Sequence, residues 1–339
     1  MIKKLLLLGS IAVMTACTPT KESTIDTTLQ SKVDSILQNK MSEIGAISGQ
    51  AIVMEVQTGE IKAMVGNAIS QESGLIRTAS LLTALETGKV KLSDTVDVGE
   101  GVYKVHDREL LDHNWHRGGY GKLTTLQGLM VNSHIANYKN IERAFTEEQA
   151  YFDMLNKMSY GQPENIEGLD SLKAVHFVTP NDSGWNNTSL AWFCIGYNQR
   201  ISPIQMLTFY NAIANNGKMV KPTLYKGETE VINPQIASKA NIDSLQMALV
   251  KVVTEGLGKP AQSEKVQIAG VSGGGQLSTD EDNSEGRVNT IYSVEYCGYF
   301  PAENPKYSII VSMNKVGLPA SGNLMAGSVF KEIVDYMTK

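Results

Sequence analysis

The hydrophobic pattern near the N-terminus predicts a helix followed by a hairpin. Apolar residues recur at three- and four-residue steps over residues 29–44, which places one apolar stripe on a helix, and Gly45 can end that helix. The stripe, which we expect to pack on the domain's own sheet rather than on a partner, consists of Leu29, Val33, Ile36, Leu37, Met41 and Ile44. Two short apolar runs follow, residues 50–56 and 61–65, and the connection QTGE between them carries a turn glycine.

The C-terminal part of the chain returns to strand patterns. Residues 288–299 and 307–314 are strand-like apolar runs, and a helical pattern covers residues 327–337. Strands at both chain ends with helices between them predict an α+β fold whose sheet joins the two ends. The sequence between them has no internal repeat or low-complexity run, so we predict a single domain over residues 29–339.

The first residues predict export. The segment MIKKLLLLGSIAVMTAC has a basic start, a short apolar core and small residues before Cys17, the layout of a secretory signal too short for a stop-transfer helix. Residues 14–17 resemble a bacterial lipobox, so we expect a signal peptide over residues 1–17 and lipidation of Cys17. An ordinary signal peptide with an incidental cysteine is the alternative. The polar residues 18–28 predict a tether, and together these features predict a membrane-anchored lipoprotein of the bacterial envelope that faces the periplasm.

Charge and cysteine content narrow the function classes. The sequence has 30 Lys and Arg against 35 Asp and Glu side chains, and removing Lys3 and Lys4 with the signal makes the balance more acidic still. An acidic chain of this kind is not expected to bind nucleic acid. Apart from Cys17 only Cys194 and Cys297 remain, too few for a disulfide framework, and the sequence does not show whether they pair.

Three segments resemble the transpeptidase domain of class B penicillin-binding proteins, the enzymes that cross-link peptidoglycan. They are GQAIVMEVQTGEIKAMVGN at 49–67, IGYNQRISPIQMLTFYNAIANNGKMVKPTL at 195–224 and YCGYFPAENPKYSIIVSM at 296–313, in the family's order. The resemblance implies the fold of serine β-lactamases and penicillin-binding transpeptidases: an antiparallel sheet with helices on both faces and an all-helical subdomain. It implies no cofactor. Class B members usually carry a transmembrane helix and a pedestal domain, for which the lipid and tether would stand here.

The first motif of that family is altered. The family's enzymes attack a D-alanyl-D-alanine amide or a β-lactam with a serine, and a lysine one helical turn later takes its proton. The family's E-P-G-S-T-F-K resembles residues 72–78, ESGLIRT, which place Leu75 where the serine belongs and Thr78 where the lysine belongs. Neither side chain can do the required chemistry, and the Ser-x-x-Lys sequences at residues 312–315 and 328–331 lie far out of the family's order.

The second motif, Ser-x-Asn, is altered as well. It supplies a hydroxyl for proton relay and an amide that holds the peptide, and the resemblance places it at Asn132-Ser133-His134. The hydroxyl is lost from the first position, while Ser133 stands in the middle. A true Ser-x-Asn occurs at residues 321–323, far out of order, and such a tripeptide arises easily by chance.

The third motif, Lys-Thr-Gly, resembles Val271-Ser272-Gly273. In the family the lysine attracts the carboxylate of the peptide substrate, so a valine removes that charge. No catalytic position is therefore intact, although the backbone N–H groups of Leu75 and Gly274 could still form an oxyanion pocket, because backbone donors do not depend on the side chain.

Other groups offer alternative chemistry. The imidazoles of His113 and His116, next to the Asp112 carboxylate, could ligate a metal if the segment were helical, but the sequence indicates no further ligand. Asp280, Asp282 and Ser284 alternate in an acidic loop without the rest of a calcium-loop pattern, so a surface loop is the simpler interpretation. His134 is more often a cap or pocket wall than a base. Ser80 lies more than one turn past the nucleophile position and is expected to face elsewhere.

Three hypotheses about function remain. The first is a catalytically silent transpeptidase-like lipoprotein that binds a peptidoglycan stem peptide or an envelope protein. The second is an active acyl-serine enzyme, a D,D-transpeptidase or penicillin-interacting protein, with a displaced nucleophile such as Ser133 or Ser272. The third is a structural interaction domain whose cleft has closed, which Leu75 and Val271 would favour if their side chains fill the groove.

Overall fold

The computed structural model describes residues 21–67, 71–170, 172, 174–277 and 290–339. Its α-helices are α1 (Thr27–Ile44), α2 (Ile76–Glu86), α3 (Thr125–Met130), α4 (His134–Ala144), α5 (Glu148–Lys157), α6 (Ser189–Phe193), α7 (Pro203–Ala214), α8 (Lys239–Thr254) and α9 (Ala326–Met337). Its strands are β1 (Ala46–Glu55), β2 (Ile61–Asn67), β3 (Thr95–Gly99), β4 (Val102–Val105), β5 (Arg108–Leu111), β6 (Gly121–Thr124), β7 (His176–Phe177), β8 (Gln199–Arg200), β9 (Met219–Val220), β10 (Val231–Asn233), β11 (Ala269–Gln276), β12 (Ile291–Phe300) and β13 (Tyr307–Val316).

One five-stranded antiparallel sheet, in the order β11-β12-β13-β1-β2, organises the domain. The two chain ends meet in it, because β1 pairs with β13 along its whole length, with Gln50 opposite Ser312 and Glu55 opposite Tyr307. The predicted α+β fold with a sheet joining the ends is confirmed. The predicted strand 288–299 is observed from Ile291, and its residues 288–289 lie outside the described part of the chain.

Helices cover both faces of this sheet. On one face α1 and α9 bury a cluster that includes Val33, Leu37, Tyr296 and Phe330. On the other face α7 packs against β12 and β13, α8 packs against β11, and α2 packs on α8. Alternate residues of each strand point to opposite faces, so a strand covered on both sides buries almost every residue, as β12 and β13 do.

The segment between β2 and α7 forms a second part of the domain. It contains α2 to α6, and also the small sheets β3-β6 and β4-β5. The resemblance implied an all-helical subdomain, and that expectation was wrong because of these sheets. The turn between β3 and β4 holds Gly99 and Gly101 at positive φ, a conformation that glycine adopts readily. The backbone of Gly119 also lies so close to this turn that a Cβ would come within 2.2 Å of the Glu100 carbonyl carbon.

The N-terminal helix is longer than the hydrophobic stripe alone predicts. It begins at Thr27 because the Asp26 carboxylate accepts hydrogen bonds from the N–H groups of Thr28 and Leu29 at its N-terminus. It ends at Gly45, which adopts the left-handed conformation with φ 63°, as predicted.

Part of the predicted tether belongs to the folded domain. Within the predicted tether 18–28, residues 18–20 lie outside the described chain, and the rest pack on the domain. Thr24 donates its N–H to the Leu224 carbonyl at 2.9 Å and its hydroxyl to the Ile61 carbonyl at 2.8 Å, and Asp26 N–H donates to the Lys62 carbonyl at 2.9 Å. Strand β2 is at the sheet edge, where unpaired backbone groups can hold a passing polar segment. Composition alone could not show this.

The signal residues 1–17, including Cys17, lie outside the described residues. Within the described ranges no helix has the length and apolar character needed to cross a membrane.

Candidate active-site cleft

The first and third motif positions meet where α2 begins beside β11. Leu75 is the residue before α2 and is only 1% exposed. Its side chain packs on Gly273, where a Cβ would lie 2.6 Å from Leu75 Cγ, and Val271 is buried in the same apolar cluster. The place where a nucleophile and its substrate would meet is therefore occupied by packed apolar atoms.

Thr78 faces away from that contact, towards α7. Tyr210 Oη lies 2.7 Å from Thr78 Oγ1 and 2.9 Å from the Leu75 carbonyl oxygen. Burial raises the pKa of Tyr210 well above its ordinary value, so the phenol stays neutral. This hydrogen-bonded group holds the first turn of α2 on α7 and contains no base.

The second motif position joins the third. Asn132 has a left-handed backbone, with φ 58°, and its Nδ2 donates to Ser272 Oγ at 2.9 Å and to the Ser272 carbonyl at 3.2 Å. Ser272 itself is buried. All three segments that the resemblance identified thus meet at one place, although with changed side chains.

Ser133 is a helix cap. Its hydroxyl accepts from the Ala136 N–H at 3.0 Å at the start of α4 and donates to Asp112 Oδ2 at 2.7 Å. The other carboxylate oxygen of Asp112 accepts from the Ile135 N–H at 3.1 Å. The Ser133 hydroxyl therefore donates one hydrogen bond and accepts another within the fold, and the side chain is buried.

His134, the last residue of this motif, is held as a neutral ring. Burial and the nearby Arg77 guanidinium lower its pKa to about 3. Its Nδ1 lies 3.0 Å from the Leu111 carbonyl oxygen, so this nitrogen carries the proton and donates it. The imidazole contributes no charge to the cleft at neutral pH.

Arg77 is a residue that the sequence reasoning did not single out. It lies on the second residue of α2, is 6% exposed, and its Nη2 is 3.5 Å from the Ser272 carbonyl oxygen. Its Nε and Nη1 are buried and make no hydrogen bond within the described chain. The sequence did contain a signal for Arg77, because it is the one charged residue in the run LIRTASLL. A buried arginine is rare unless it is paired.

Glu295 on β12 was also missed. Its Oε2 accepts from Ser73 Oγ at 2.6 Å, and Oε1 lies 3.4 Å from both Gln71 Nε2 and Ser312 Oγ. Burial raises the pKa of Glu295 to about 7, against the opposing effect of these hydrogen bonds and of Arg77. This carboxyl fastens the segment before α2 to the sheet, and the lone charge in YSVEYCGYF was its indication.

The outer edge of β11 is covered at the cleft. The Ser272 carbonyl points away from β12 and accepts from Asn132 and Arg77. Two residues on, Gly274 lies against Gly74, where a Cβ would come within 2.7 Å of the Gly274 carbonyl oxygen. The Leu75 N–H has a partner in Ser73 Oγ at 3.4 Å, whereas the predicted oxyanion pocket requires it to be free.

The remaining predicted groups lie apart from a common centre. His113 Nε2 pairs with Tyr120 Oη at 3.0 Å, and His116 Nε2 accepts from Arg117 at 3.2 Å. Among the residues described, no three His, Cys, Asp or Glu side chains are grouped as metal ligands. The predicted calcium ligands Asp280, Asp282 and Ser284 lie outside the described residues.

Three further positions are placed by the fold. Ser80 lies 2.8 Å from Tyr151 Oη and donates to the Cys194 carbonyl, which confirms that it faces away from the cleft. Cys194 and Cys297 are buried free thiols. In the out-of-order Ser-x-Asn at 321–323, the backbone of Gly322 packs on Gly273, where a Cβ would lie 2.4 Å from the Gly273 carbonyl oxygen.

Comparison with known families identifies the family of this chain. Residues 49–335 match the penicillin binding protein transpeptidase domain. The chain belongs to the penicillin-binding protein transpeptidase family. The matched range includes all three segments that the resemblance proposed as motif positions.

Curated relatives agree with this membership. The chain is 23% identical over 368 aligned positions to penicillin-binding protein PbpB of Mycolicibacterium smegmatis, covering 94% of this chain and 54% of the relative. It is 21% identical to the peptidoglycan D,D-transpeptidase FtsI of Escherichia coli, covering 84% of this chain and 49% of that protein. The chain thus spans about half the length of the curated relatives it matches.

Solved structures show the same fold. The apo transpeptidase domain of penicillin-binding protein 3 from Burkholderia pseudomallei superposes with a TM-score of 0.80 at 21% identity, covering 93% of this chain and 95% of that one. Penicillin-binding protein 3 of Mycobacterium tuberculosis in complex with aztreonam gives a TM-score of 0.78 at 21% identity, covering 94% and 78%. The sheet and helices of those transpeptidase domains are therefore retained in this chain.

Proposed function

We propose that this chain is a catalytically silent penicillin-binding-protein transpeptidase domain that serves the bacterial cell envelope by binding a protein partner. The observation that carries the proposal is the occupied cleft, in which Leu75 packs on Gly273 and the Ser272 carbonyl is already hydrogen-bonded. An acyl-transfer enzyme needs a nucleophile beside a base, with a free site for the reacting carbonyl. The lipid on Cys17 and the periplasmic location remain part of this proposal.

Displaced nucleophiles fit the geometry poorly. The Ser133 hydroxyl caps α4 and donates to Asp112, which holds it in the helix cap. The Ser272 hydroxyl accepts from the Asn132 amide, and an amide cannot remove a proton. Both hydroxyls are buried, so a substrate would have to displace packed side chains to reach them.

A stem peptide is the second candidate ligand, because β11 is an edge strand and an extended peptide can pair with such an edge. Arg77 and Asn132 already use the Ser272 carbonyl, and Gly74 lies on Gly274, so pairing over this stretch requires those groups to move. The conformation described here therefore favours a protein partner over a peptide in the cleft.

Exposed apolar side chains offer a surface for such a partner. Ile47 is 57% exposed at the start of β1, and Leu318, just beyond the end of β13, is 72% exposed. The pairing of Ala46 with Lys315 puts both at the same end of the sheet. A contiguous exposed apolar patch commonly marks an interaction site, so Ile47 and Leu318 are the positions that we expect a partner to cover.

The silent assignment is tested by incubating the purified full-length chain with a fluorescent penicillin and examining it by denaturing gel and intact mass. We expect no covalent adduct, while an active D,D-transpeptidase in the same assay is labelled. A stable adduct that disappears in Ser133→Ala or Ser272→Ala would overturn the proposal in favour of a displaced nucleophile.

The choice between ligands needs two further measurements. Calorimetric titration with a stem pentapeptide is expected to give no saturable heat, and one site per chain would establish the peptide hypothesis instead. Cross-linking in envelope membranes is expected to yield a defined protein adduct that Leu318→Ser weakens. Leu257→Ser, at another exposed apolar position 40% exposed, is the matched control.

A further inference from the structure

The beginning of the described chain is bound to one end of the central sheet. Thr24 donates its N–H to the Leu224 carbonyl at 2.9 Å, and the Lys226 N–H donates to the Glu22 carbonyl at 2.8 Å. The Lys226 ammonium also pairs with the Glu22 carboxylate. This stretch of the predicted tether is therefore part of the folded domain and cannot act as a spacer.

The spacer between the proposed lipid and the domain is accordingly short. Only residues 18–20 separate Cys17 from Lys21. A chain spans at most about 3.6 Å per residue, so Cys17 and Lys21 lie within about 14 Å of each other in any conformation. A lipid on Cys17 therefore brings the end of the domain at Lys21 to the membrane surface.

The exposed apolar positions of the partner surface lie at the opposite end of the sheet. The Thr24 hydroxyl donates to the carbonyl of Ile61, which is paired with Met54 near the end of β1. From there β1 extends over ten residues, about 30 Å, back to its start. Helix α1, with 18 residues and a length of about 27 Å, packs along β1 and spans the same distance. Ile47 and Leu318 are at that far end.

The end that carries Lys21 has side chains suited to a membrane interface. Lys339 Nζ lies 4.4 Å from the ring centre of Tyr336, in an open groove between the start of α1 and the end of α9, and Lys21 Nζ lies 5.7 Å from that of Tyr225. Tyrosine and lysine combine an apolar body with a polar tip, which favours the level of the lipid headgroups. Lys21 also pairs with Glu167, so this end carries both signs of charge and matches zwitterionic headgroups.

We propose that this end of the domain is a membrane-contact surface, which the short spacer holds against the headgroups of a phospholipid bilayer. The sheet then points away from the membrane, and Ile47 and Leu318 stand about 30 Å from it. The protein partner is met at that distance, outside the bilayer. This inference rests on the lipid anchor of the proposed function and adds the position of the partner surface.

The test measures how close two positions of the full-length lipidated chain are to the membrane. A fluorophore is attached to Lys339→Cys or to Leu318→Cys, and each chain is reconstituted into vesicles of phosphatidylcholine and phosphatidylethanolamine whose headgroups carry a nitroxide quencher. Position 339 is expected to lose most of its fluorescence and position 318 little. The wild-type chain, treated in the same way, corrects for label on the buried thiols of Cys194 and Cys297. Equal quenching at both positions, or none at either, would overturn the surface.

A lengthened spacer tests why the surface is held there. With about ten glycine and serine residues inserted between Thr20 and Lys21, the domain can move away from the membrane, and quenching at position 339 is expected to fall. Undiminished quenching would refute the short spacer as the cause.

The intact mass of the purified chain separates this inference from the proposed function. A chain without lipid on Cys17 would remove the anchor and this surface together. A lipidated chain with the wrong quenching pattern would remove the surface alone, and the result with fluorescent penicillin bears on neither.

Discussion

Replacing Glu295 with glutamine tests whether this buried carboxyl controls the pH dependence of stability. Burial raises its pKa from the usual 4.5 to about 7. A group whose pKa is higher in the folded than in the unfolded state contributes its full stabilisation below the unfolded pKa and loses it as the pH rises through the folded pKa. We therefore expect Glu295 to remove about 3 kcal/mol of unfolding free energy between those two pH values, since one pKa unit corresponds to about 1.4 kcal/mol.

The variant Glu295→Gln keeps the shape of the side chain and removes its titration. The amide will disturb the 2.6 Å hydrogen bond with Ser73 by some fixed amount, but that cost does not change with pH. The measurement is urea unfolding of both proteins in steps from about pH 5 to about pH 8 at constant ionic strength. The stability of the variant relative to wild type should increase by about 3 kcal/mol across this range.

The control is Glu332→Gln, which removes the same charge from an exposed position on α9. Its profile should keep the slope of the wild-type protein. Parallel profiles for wild type and Glu295→Gln would refute the reasoning, because they would show that the carboxyl titrates alike in the folded and unfolded chains.

Two further substitutions test how the cleft is packed. Leu75→Ala should lower the unfolding free energy by about 2–5 kcal/mol in urea titrations because it leaves a cavity against Gly273, whereas Leu75→Met, of similar volume, should cost less than about 1.5 kcal/mol. An unchanged midpoint for Leu75→Ala would contradict the packed cleft. Tyr210→Phe should cost about 1–3 kcal/mol in the same assay, because it removes the hydrogen-bond partner of the Thr78 hydroxyl and the Leu75 carbonyl. Tyr336→Phe, at a partly exposed position, is the control, and equal losses in the two variants would contradict this role.

Local patterns in the sequence were enough to predict the secondary-structure elements at the two ends of the chain. The periodicity of α1 and its glycine cap, the first hairpin and the C-terminal strands all depend on neighbours a few residues apart. The resemblance then placed the three motif segments, and the structure brings them together. The start of α1 and the packing of the tether on the domain were not predicted. They depend on a capping carboxylate and on hydrogen bonds to a sheet edge, and hydrophobic periodicity does not report either of them.

The sequence by itself predicts that the nucleophile, the base and the anion-binding lysine of the family are replaced, because the resemblance puts Leu75, Thr78 and Val271 at their positions. Only the tertiary structure decided what fills their places. Asn132 meets Ser272, and Ser73 meets Glu295, across 140 and 222 residues of chain, and Arg77 enters the cleft from its own helix. Such contacts are set by the order of strands in the sheet and by the helix packed on it, neither of which local spacing encodes. The same packing buries Arg77 and leaves its Nε and Nη1 without a hydrogen-bond partner among the described residues.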